Sequence, residues 1–237
     1  MKLGIMQPYF FPYLGYLSLI KHTDKFILFD PVQYIRHGWI ERNRILKPND
    51  GWQYISVPLE KHDMHTKIKD IKIDNSQDWR TKIFAQLTHY KKKSPFYKET
   101  INVIEEGIST PVETITQLNF NTLKATCNYL GIRFNCSIFS EMNMKLDTVN
   151  EPDEWALKIC LALNADEYWN PPGGQEFFDR QKYTNAGIKL SFQSVNLQFY
   201  SQRRGIENFI PGLSIIDVMM FNSVEQIHEK LDNYELS

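Results

Sequence analysis

Cysteine is scarce in this sequence, and its spacing excludes the commonest cysteine chemistry. No Cys-x-x-Cys occurs, so the pattern indicates neither a zinc knuckle nor a redox dithiol. The His62-x-x-His65 pair stands in a polar, turn-like segment with flanking lysines, which does not favour a metal site on a helix. We therefore predict no metal and three reduced thiols, Cys127, Cys136 and Cys160.

Long apolar runs and an excess of one charge are also missing. No segment approaches the ~18 consecutive apolar residues of a transmembrane helix, and no cationic N-terminal segment precedes an apolar stretch. The net charge is −1, which leaves no basic excess for nucleic acid. We therefore expect a soluble, cytoplasmic protein with no membrane insertion and no nucleic-acid partner.

Several catalytic signatures are absent as well. The sequence has no Gly-x-Ser-x-Gly, no Gly-x-Gly-x-x-Gly, no Walker lysine motif and no Asp-x-Asp. These absences argue against an α/β-hydrolase, a dinucleotide-binding protein and a P-loop protein. They also place metal-dependent glycosyl transfer last among the transfer reactions.

The composition that remains suits a packed core. Hydrophobic residues make up 42% of the chain and charged residues 23%, as in ordinary globular domains. The length of 237 residues suits one large domain. Helical periodicity over about 76–131, closed by Gly131, predicts a mostly helical insertion in a single domain 1–237.

The N-terminal 30 residues predict a βαβ unit. Leu3–Met6 and Phe26–Phe29 are short apolar runs typical of buried strands. Gln7–Pro12 cannot be helix interior because Pro8 and Pro12 lack an N–H group, whereas a helical pattern begins at Gly15. Two strands joined in this way should be parallel.

Polar residues follow both of these strands. Gln7 follows the first strand, and Asp30 and Gln33 follow the second. Ligands of open α/β sheets bind beyond the carboxyl ends of the strands. The sequence therefore predicts a site at this edge.

Further strands and helices complete the predicted fold. Apolar and alternating segments predict strands over 52–59, 68–74, 132–139, 166–170 and 188–195. Helices are predicted from Ser76, over 176–186 and from Ser223 to the end. The fold class predicted is α/β, a Rossmann-like, mostly parallel sheet of about five or six strands with helices on both faces.

Three segments are candidate parts of the site. Residues 33–47 are dense in donors, which form either an anion clamp or a solvated loop: Gln33, His37, Arg42, Asn43 and Arg44 among them. Asn170 is followed by the Gly173-Gly174 turn before a predicted helix, which could hold an anion. Arg203 and Arg204 could add to such a site.

Asp217 stands in an apolar run, Ile215-Ile-Asp-Val-Met219. A buried carboxylate needs a partner. Asp217 is therefore either a structural cap to a neighbouring loop or a catalytic base with a raised pKa.

The sequence resembles a known family. The run Gln7-Pro-Tyr-Phe-Phe-Pro-Tyr-Leu-Gly-Tyr16, with Asp30-Pro-Val-Gln-Tyr34, Gly38–Ile45 and Asn170-Pro-Pro-Gly-Gly174, is similar to the WbqC-like family over nearly the whole chain. That resemblance implies a setting in the biosynthesis of O-antigen, the lipopolysaccharide sugar chain, and of other bacterial surface polysaccharides. It supports site roles for Arg42, Asn43 and Asp217.

A second resemblance concerns the opening βαβ unit. It resembles the nucleotidylyltransferase and pantothenate-synthetase superfamily, in which a His-x-Gly-His motif contacts nucleotide phosphates. The matching place here reads Tyr13-Leu-Gly15-Tyr16, so Gly15 fits and tyrosines replace both histidines.

The resemblances imply an enzyme that transfers an acyl or aminoacyl group to the amine of a nucleotide-linked amino sugar. Arg42, Arg44 and the Gly173-Gly174 turn would hold phosphate, and Gln7 with Tyr13 or Tyr16 would lie at the sugar. Asp30, His37 or Asp217 would take the amine proton. No resident cofactor is expected; ATP or acyl-CoA is the candidate donor, and a homodimer is compatible with the sequence.

The alternative is a non-catalytic module that binds a nucleotide sugar or a partner enzyme of the same pathway. The replacement of both superfamily histidines by tyrosine favours it, because a neutral tyrosine cannot donate from a cationic ring.

Overall fold

A six-stranded sheet forms the centre of the protein, seen in a computed structural model that describes residues 1–203 and 205–237. Its order is β5-β2-β1-β6-β7-β8. The strands are β1 (Lys2–Met6), β2 (Lys25–Leu28), β5 (Cys136–Ile138), β6 (Glu167–Asn170), β7 (Lys189–Val195) and β8 (Tyr234–Leu236). Arg204 lies outside the described residues.

All neighbours in this sheet are parallel except β7 and β8, which are antiparallel. The pairing confirms the predicted parallel βαβ unit and the mostly parallel α/β fold. In register, Met6 pairs with Leu28, and Gly4 pairs with Trp169. The carboxyl ends of β1, β2 and β6 therefore lie side by side at one edge.

Helices cover both faces of the sheet. They are α1 (Leu14–His22), α2 (Trp79–Leu87), α3 (Tyr97–Ser109), α4 (Ile115–Leu130), α5 (Glu154–Ala162), α6 (Arg180–Asn185), α7 (Ile215–Phe221) and α8 (Val224–Asp232). Successive residues of β2 enter different apolar clusters: Phe26 and Leu28 join one, and Ile27 joins the other. Side chains of a strand alternate between faces, so both faces are buried.

The remaining two strands form a separate hairpin. β3 (Arg42–Leu46) pairs antiparallel with β4 (Trp52–Ser56). The sequence predicts a strand over 52–59 but not its partner β3, because the polar residues of β3 lack the apolar alternation that marks a strand. The α2–α4 segment follows this hairpin and lies in the predicted helical range; its status as an insertion in a single domain stays a prediction.

The predicted strand at 68–74 is wrong. Ile68–Asp70 is a 3₁₀ turn, and Ile73 makes only an isolated bridge to Leu59. Ile68 and Ile71 are both fully buried and stand three residues apart. That spacing matches the three residues per turn of a 3₁₀ helix, so both side chains enter the same core.

Two helix starts also differ from the prediction, and in both an aspartate provides the cap. Asp78, rather than Ser76, accepts a hydrogen bond from the backbone N–H of Thr81 at the start of α2. The predicted helix 176–186 is a 3₁₀ turn (Pro172–Phe177) followed by α6, whose cap is Asp179. The last predicted strand before α5 is also shorter than expected, since only Cys136–Ile138 pairs.

No helix in the described parts of the chain is both long and apolar enough to cross a membrane.

Side chains from distant elements hold the loop between β1 and α1. The Asn43 amide on β3 donates to the carbonyls of Phe10 (3.0 Å) and Phe11 (2.9 Å). The hydroxyl of Ser214, which also caps α7, donates to the carbonyl of Phe11 at 2.7 Å. Phe11 has a positive φ of 37°, so this loop depends on outside contacts for its shape.

Asn119 on α4 completes this support. Its amide donates to the carbonyl of Pro8 at 2.8 Å and to that of Ile40 at 2.9 Å, and its side chain is fully buried. One buried amide therefore joins the loop after β1 to the segment before β3.

Replacement of Asn119 by alanine should lower the free energy of unfolding by about 2–4 kcal/mol, because two buried carbonyls lose their donor. Asn128→Ala, at an exposed position of the same helix, is the matched control and should change stability by less than about 0.5 kcal/mol. Urea unfolding measures both. Equal effects of the two variants would contradict the role given to Asn119.

Candidate functional site

Two adjoining clefts open at the carboxyl edge of the sheet. The first, called the arginine cleft, has a volume of about 590 Å³ and is lined by Met6, Tyr9, Tyr13, Trp39, Asn43, Arg44, Asn170–Gly174, Leu197 and Gly212. The second, called the apolar cleft, has a volume of about 700 Å³ and is lined by Ile5–Gln7, Tyr9, Phe29, Val32, Gln33, Ile35, Pro152, Trp155, Ala156, Tyr168, Asn170, Phe177 and Phe178. Each is the size of a small-molecule site.

The clefts meet at the ends of two central strands. Met6 ends β1, Asn170 ends β6, and Tyr9 lies in the loop after β1; all three line both clefts. Both clefts therefore lie at the edge where the sequence predicts a ligand site, and that site stays a prediction.

Arg44 is the cation of the arginine cleft. Its guanidinium lies 5.2 Å from the ring centre of Trp39 and 5.3 Å from that of Trp52, and donates to the carbonyl of Gly212 at 3.1 Å. The Nε atom of Arg44 is buried and has no hydrogen-bond partner among the described residues. Within the same part of the chain, no carboxylate lies within 4 Å of the guanidinium. A cation held by aromatic rings without an acidic partner is suited to bind an anionic ligand.

Asn43 and Arg44 both line the arginine cleft, and the hairpin explains why their side chains make different contacts. Neighbouring residues of a strand face opposite sides, so Asn43 supports the loop after β1 while Arg44 lies against the tryptophans. The N–H of Ser214 donates to the carbonyl of Arg44 at 2.9 Å, which connects β3 to α7.

Arg42 and His37 line neither cleft. The Arg42 guanidinium donates to the carbonyls of His37 (2.6 Å) and Gly38 (3.3 Å) and lies 4.0 Å from the ring centre of Tyr54. His37 is exposed and has a positive φ of 65°. Arg42 therefore closes the turn before β3 instead of facing the clefts.

The Gly173-Gly174 turn borders the arginine cleft beside Asn170. A Cβ added at Gly174 would lie 2.8 Å from Nδ2 of Asn170, whereas one added at Gly173 would meet nothing within 4 Å. The turn is part of a 3₁₀ segment and not a helix start, so a helix N-terminus does not supply the expected anion site. Gly174 matters through its close contact with Asn170.

Gln7 and Gln33 line the apolar cleft, and Gln33 donates to the carbonyl of Met64 at 2.7 Å. Tyr13 lines the arginine cleft, and its ring packs against Gly15, where a Cβ would lie 2.5 Å from it. Burial raises the pKa of Tyr13, so its hydroxyl stays protonated. Tyr16 is fully buried, and its hydroxyl donates to the carbonyl of Gln7.

Asp30 is buried beside the apolar cleft but does not line it. Its carboxylate accepts from the N–H (3.0 Å) and the hydroxyl (2.7 Å) of Ser140. Burial raises its pKa, and the two hydrogen bonds oppose that shift.

Asp217 lies away from both clefts. It is fully buried, and its carboxylate accepts from the hydroxyls of Tyr90 (2.6 Å) and Tyr200 (2.5 Å) and from the amide of Gln202 (3.0 Å). The Tyr90 hydroxyl also accepts from the N–H of Leu46, so this cluster connects α7 to β3. Of the two roles predicted for Asp217, these contacts fit the structural one. Arg203, which was predicted to help bind an anion, is exposed and lines neither cleft.

Sequence reasoning missed most of the aromatic lining. Tyr9 and Trp39 stand in runs that carry the family resemblance, but neither was predicted as a lining residue. Trp155, Phe177 and Phe178 have no pattern that marks a site, because an aromatic residue in a loop or helix is as often part of the core. Among the described residues, no group of three or more metal-ligating side chains is clustered.

Comparison with known proteins supports the resemblance seen in the sequence. The model of the WbqC-like protein family matches residues 7–229. The chain belongs to this family. It is also 29% identical over 224 residues to the uncharacterized protein Rv1507c of Mycobacterium tuberculosis (strain ATCC 25618 / H37Rv), covering 93% of each chain. No solved structure matches the chain.

Gly174→Ala should displace the Asn170 side chain, because the added methyl group would overlap its amide nitrogen. The side-chain amide signals of Asn170 in a ¹H–¹⁵N NMR spectrum should shift clearly. Gly173→Ala, where nothing opposes the methyl group, should leave those signals in place. Unchanged Asn170 signals in Gly174→Ala would contradict the contact.

Asp217→Asn should lower the free energy of unfolding by about 2–3 kcal/mol, since it replaces a charged acceptor of three hydrogen bonds. Guanidinium unfolding measures this loss. Asp232→Asn, an exposed carboxylate paired with Lys21 and His22, is the control and should cost less than about 1 kcal/mol. A full-stability Asp217→Asn variant with impaired ligand turnover would restore the catalytic reading.

Proposed function

We propose that this WbqC-like protein is a transferase of surface-polysaccharide biosynthesis that places an acyl group on the amine of a nucleotide-linked amino sugar. The observation that carries the proposal is the pair of clefts that meet at Asn170. A two-substrate transfer needs two ligands held with their reacting atoms in contact, and positioning alone can supply a large part of the rate.

The arginine cleft is the proposed nucleotide-sugar site. Arg44 offers a guanidinium without an acidic partner among the described residues, suited to a diphosphate. Trp39 is partly exposed beside it and offers a face for a base or sugar ring. The second cleft would hold the donor.

The proposed step balances without a resident cofactor. With a thioester donor, the sugar amine attacks the acyl carbonyl carbon, the C–N bond forms and the C–S bond breaks. The leaving thiolate takes up the amine proton. None of the candidate bases Asp30, His37 and Asp217 lines the clefts, so positioning rather than a protein base is the main contribution proposed.

A second candidate function is binding without catalysis. The described lining of both clefts contains no aspartate, glutamate or histidine, so no ordinary general base faces the ligand space. A non-catalytic module for a nucleotide sugar would need the arginine cleft alone.

A thermal-shift series against UDP- and dTDP-amino sugars, UDP, dTDP, ATP and acyl-CoA tests the proposal. A nucleotide sugar at 100 times its dissociation constant should stabilise the protein by about 2.7 kcal/mol. Arg44→Ala should abolish that shift because the phosphate loses its cation. Arg133→Ala removes an exposed arginine that precedes β5 and lines neither cleft, so this variant should keep the shift.

The outcomes separate the candidates. Binding of the nucleotide sugar with acylated product in the presence of acyl donor supports the transferase. Binding without product supports the non-catalytic module. No stabilisation by any nucleotide would contradict both.

A further inference from the structure

The described lining of the apolar cleft is mostly hydrocarbon and carries no charged side chain. Apart from two tyrosines, ten of its lining residues are apolar or aromatic and come from several elements: Ile5, Met6, Phe29, Val32, Ile35, Pro152, Trp155, Ala156, Phe177 and Phe178. Its polar lining residues among those described are neutral, namely Gln7, Gln33, Asn170 and two tyrosines. Such a surface favours a hydrocarbon or aromatic group.

The two carboxylates on either side of one lining residue are ion-paired. Glu151 and Asp153 flank the lining residue Pro152, and both are ion-paired with Lys182. The Asp153 Oδ1 to Nζ distance is 3.0 Å, and Asp153 is itself nearly fully buried. Lys182 supplies one positive charge to this pair, and neither carboxylate lines the cleft.

On the other side of the cleft, the carboxylate of Asp30 is also hydrogen-bonded to protein groups. Asp30 follows the lining residue Phe29, but both of its oxygens accept hydrogen bonds from Ser140. Its side chain is almost completely buried away from the cleft. Among the described residues, no acidic group is left facing this space for a cationic ligand.

An aminoacyl donor would bring an α-ammonium group into this surface. Burial of an ammonium group is disfavoured when no carboxylate is there to pair with its charge, since neutral amide oxygens can accept its hydrogen bonds but leave the charge unpaired. An uncharged acyl chain has no such penalty and gains from the apolar lining.

We propose that the apolar cleft binds an uncharged, apolar acyl group, so that the group transferred is a hydrocarbon acyl and not an aminoacyl. This inference rests on the proposed transferase function and specifies its donor. The sugar would approach from the arginine cleft and the acyl carbonyl from the apolar cleft, with both ends near Asn170.

Isothermal titration with two matched neutral-carrier thioesters tests the inference on the intact protein. The probes are S-octanoyl-N-acetylcysteamine and its S-(2-aminooctanoyl) analogue, which differ only by the α-ammonium group. The octanoyl probe should bind at least about tenfold more tightly, because the ammonium finds no acidic partner. Equal binding, tighter binding of the amino analogue, or no binding of either probe would overturn the inference.

A pair of alanine variants locates the binding site. Phe177 is 54% exposed and lines the apolar cleft, whereas Leu161 is 50% exposed and lines neither of the two clefts. Phe177→Ala should weaken octanoyl binding about five- to tenfold, and Leu161→Ala should leave it unchanged. Equal weakening in both variants would place the probe elsewhere and overturn the inference.

Binding is measured without turnover, so the test separates this inference from the transferase proposal. Octanoyl selectivity in a protein that forms no acylated sugar would retain the apolar site and remove the transferase. Preference for the amino analogue in an active transferase would retain the transferase and remove the site for an apolar acyl group.

Discussion

The loop between the first strand and the first helix is the constraint on which the site depends. It contains two prolines and a phenylalanine with positive φ, so its carbonyls cannot join a regular ladder and need donors from elsewhere. Asn43, Asn119 and Ser214 supply those donors from three different parts of the chain. Each is buried, which makes these hydrogen bonds expensive to lose. The loop is therefore a meeting point of the β3–β4 hairpin, the helical segment and α7.

This arrangement also determines which way the Arg44 side chain faces. The Asn43 side chain faces the loop, so the side chain of its neighbour Arg44 faces the opposite side and lies against the tryptophans. The backbone bond from Ser214 to Arg44 and the contact of Leu46 with the Tyr90–Asp217 pair connect the same strand to α7. The buried carboxylate thus has a structural part in the site: it helps to hold the strand that carries the cation.

The two clefts differ in chemistry although they share a border. One has a guanidinium with aromatic neighbours, and the other has an apolar lining whose adjacent carboxylates are paired with Lys182 or Ser140. The charged lining side chain, Arg44, therefore lies on one side of Asn170, and the described lining on the other side is uncharged. Opposite preferences in adjoining spaces suit two ligands of different polarity, one anionic and one apolar, that meet at the strand ends.

The sequence alone determined the features that depend on local pattern. Short apolar runs separated by a proline loop and a helical period specify a βαβ unit, and the rule for parallel sheets predicts a site at its carboxyl edge, where Gln7, Asp30 and Gln33 follow the strands. Only the tertiary structure decided which polar residues face that site. Arg42 and Asp217 look as functional in sequence as Arg44 does, but the Arg42 guanidinium donates to a turn and the Asp217 carboxylate accepts from Tyr90, Tyr200 and Gln202. The pairing of β3 with β4 and the aromatic lining from α5 and the 172–177 turn also came from distant segments. Contacts of this kind depend on strand register and long-range packing, which no local periodicity encodes.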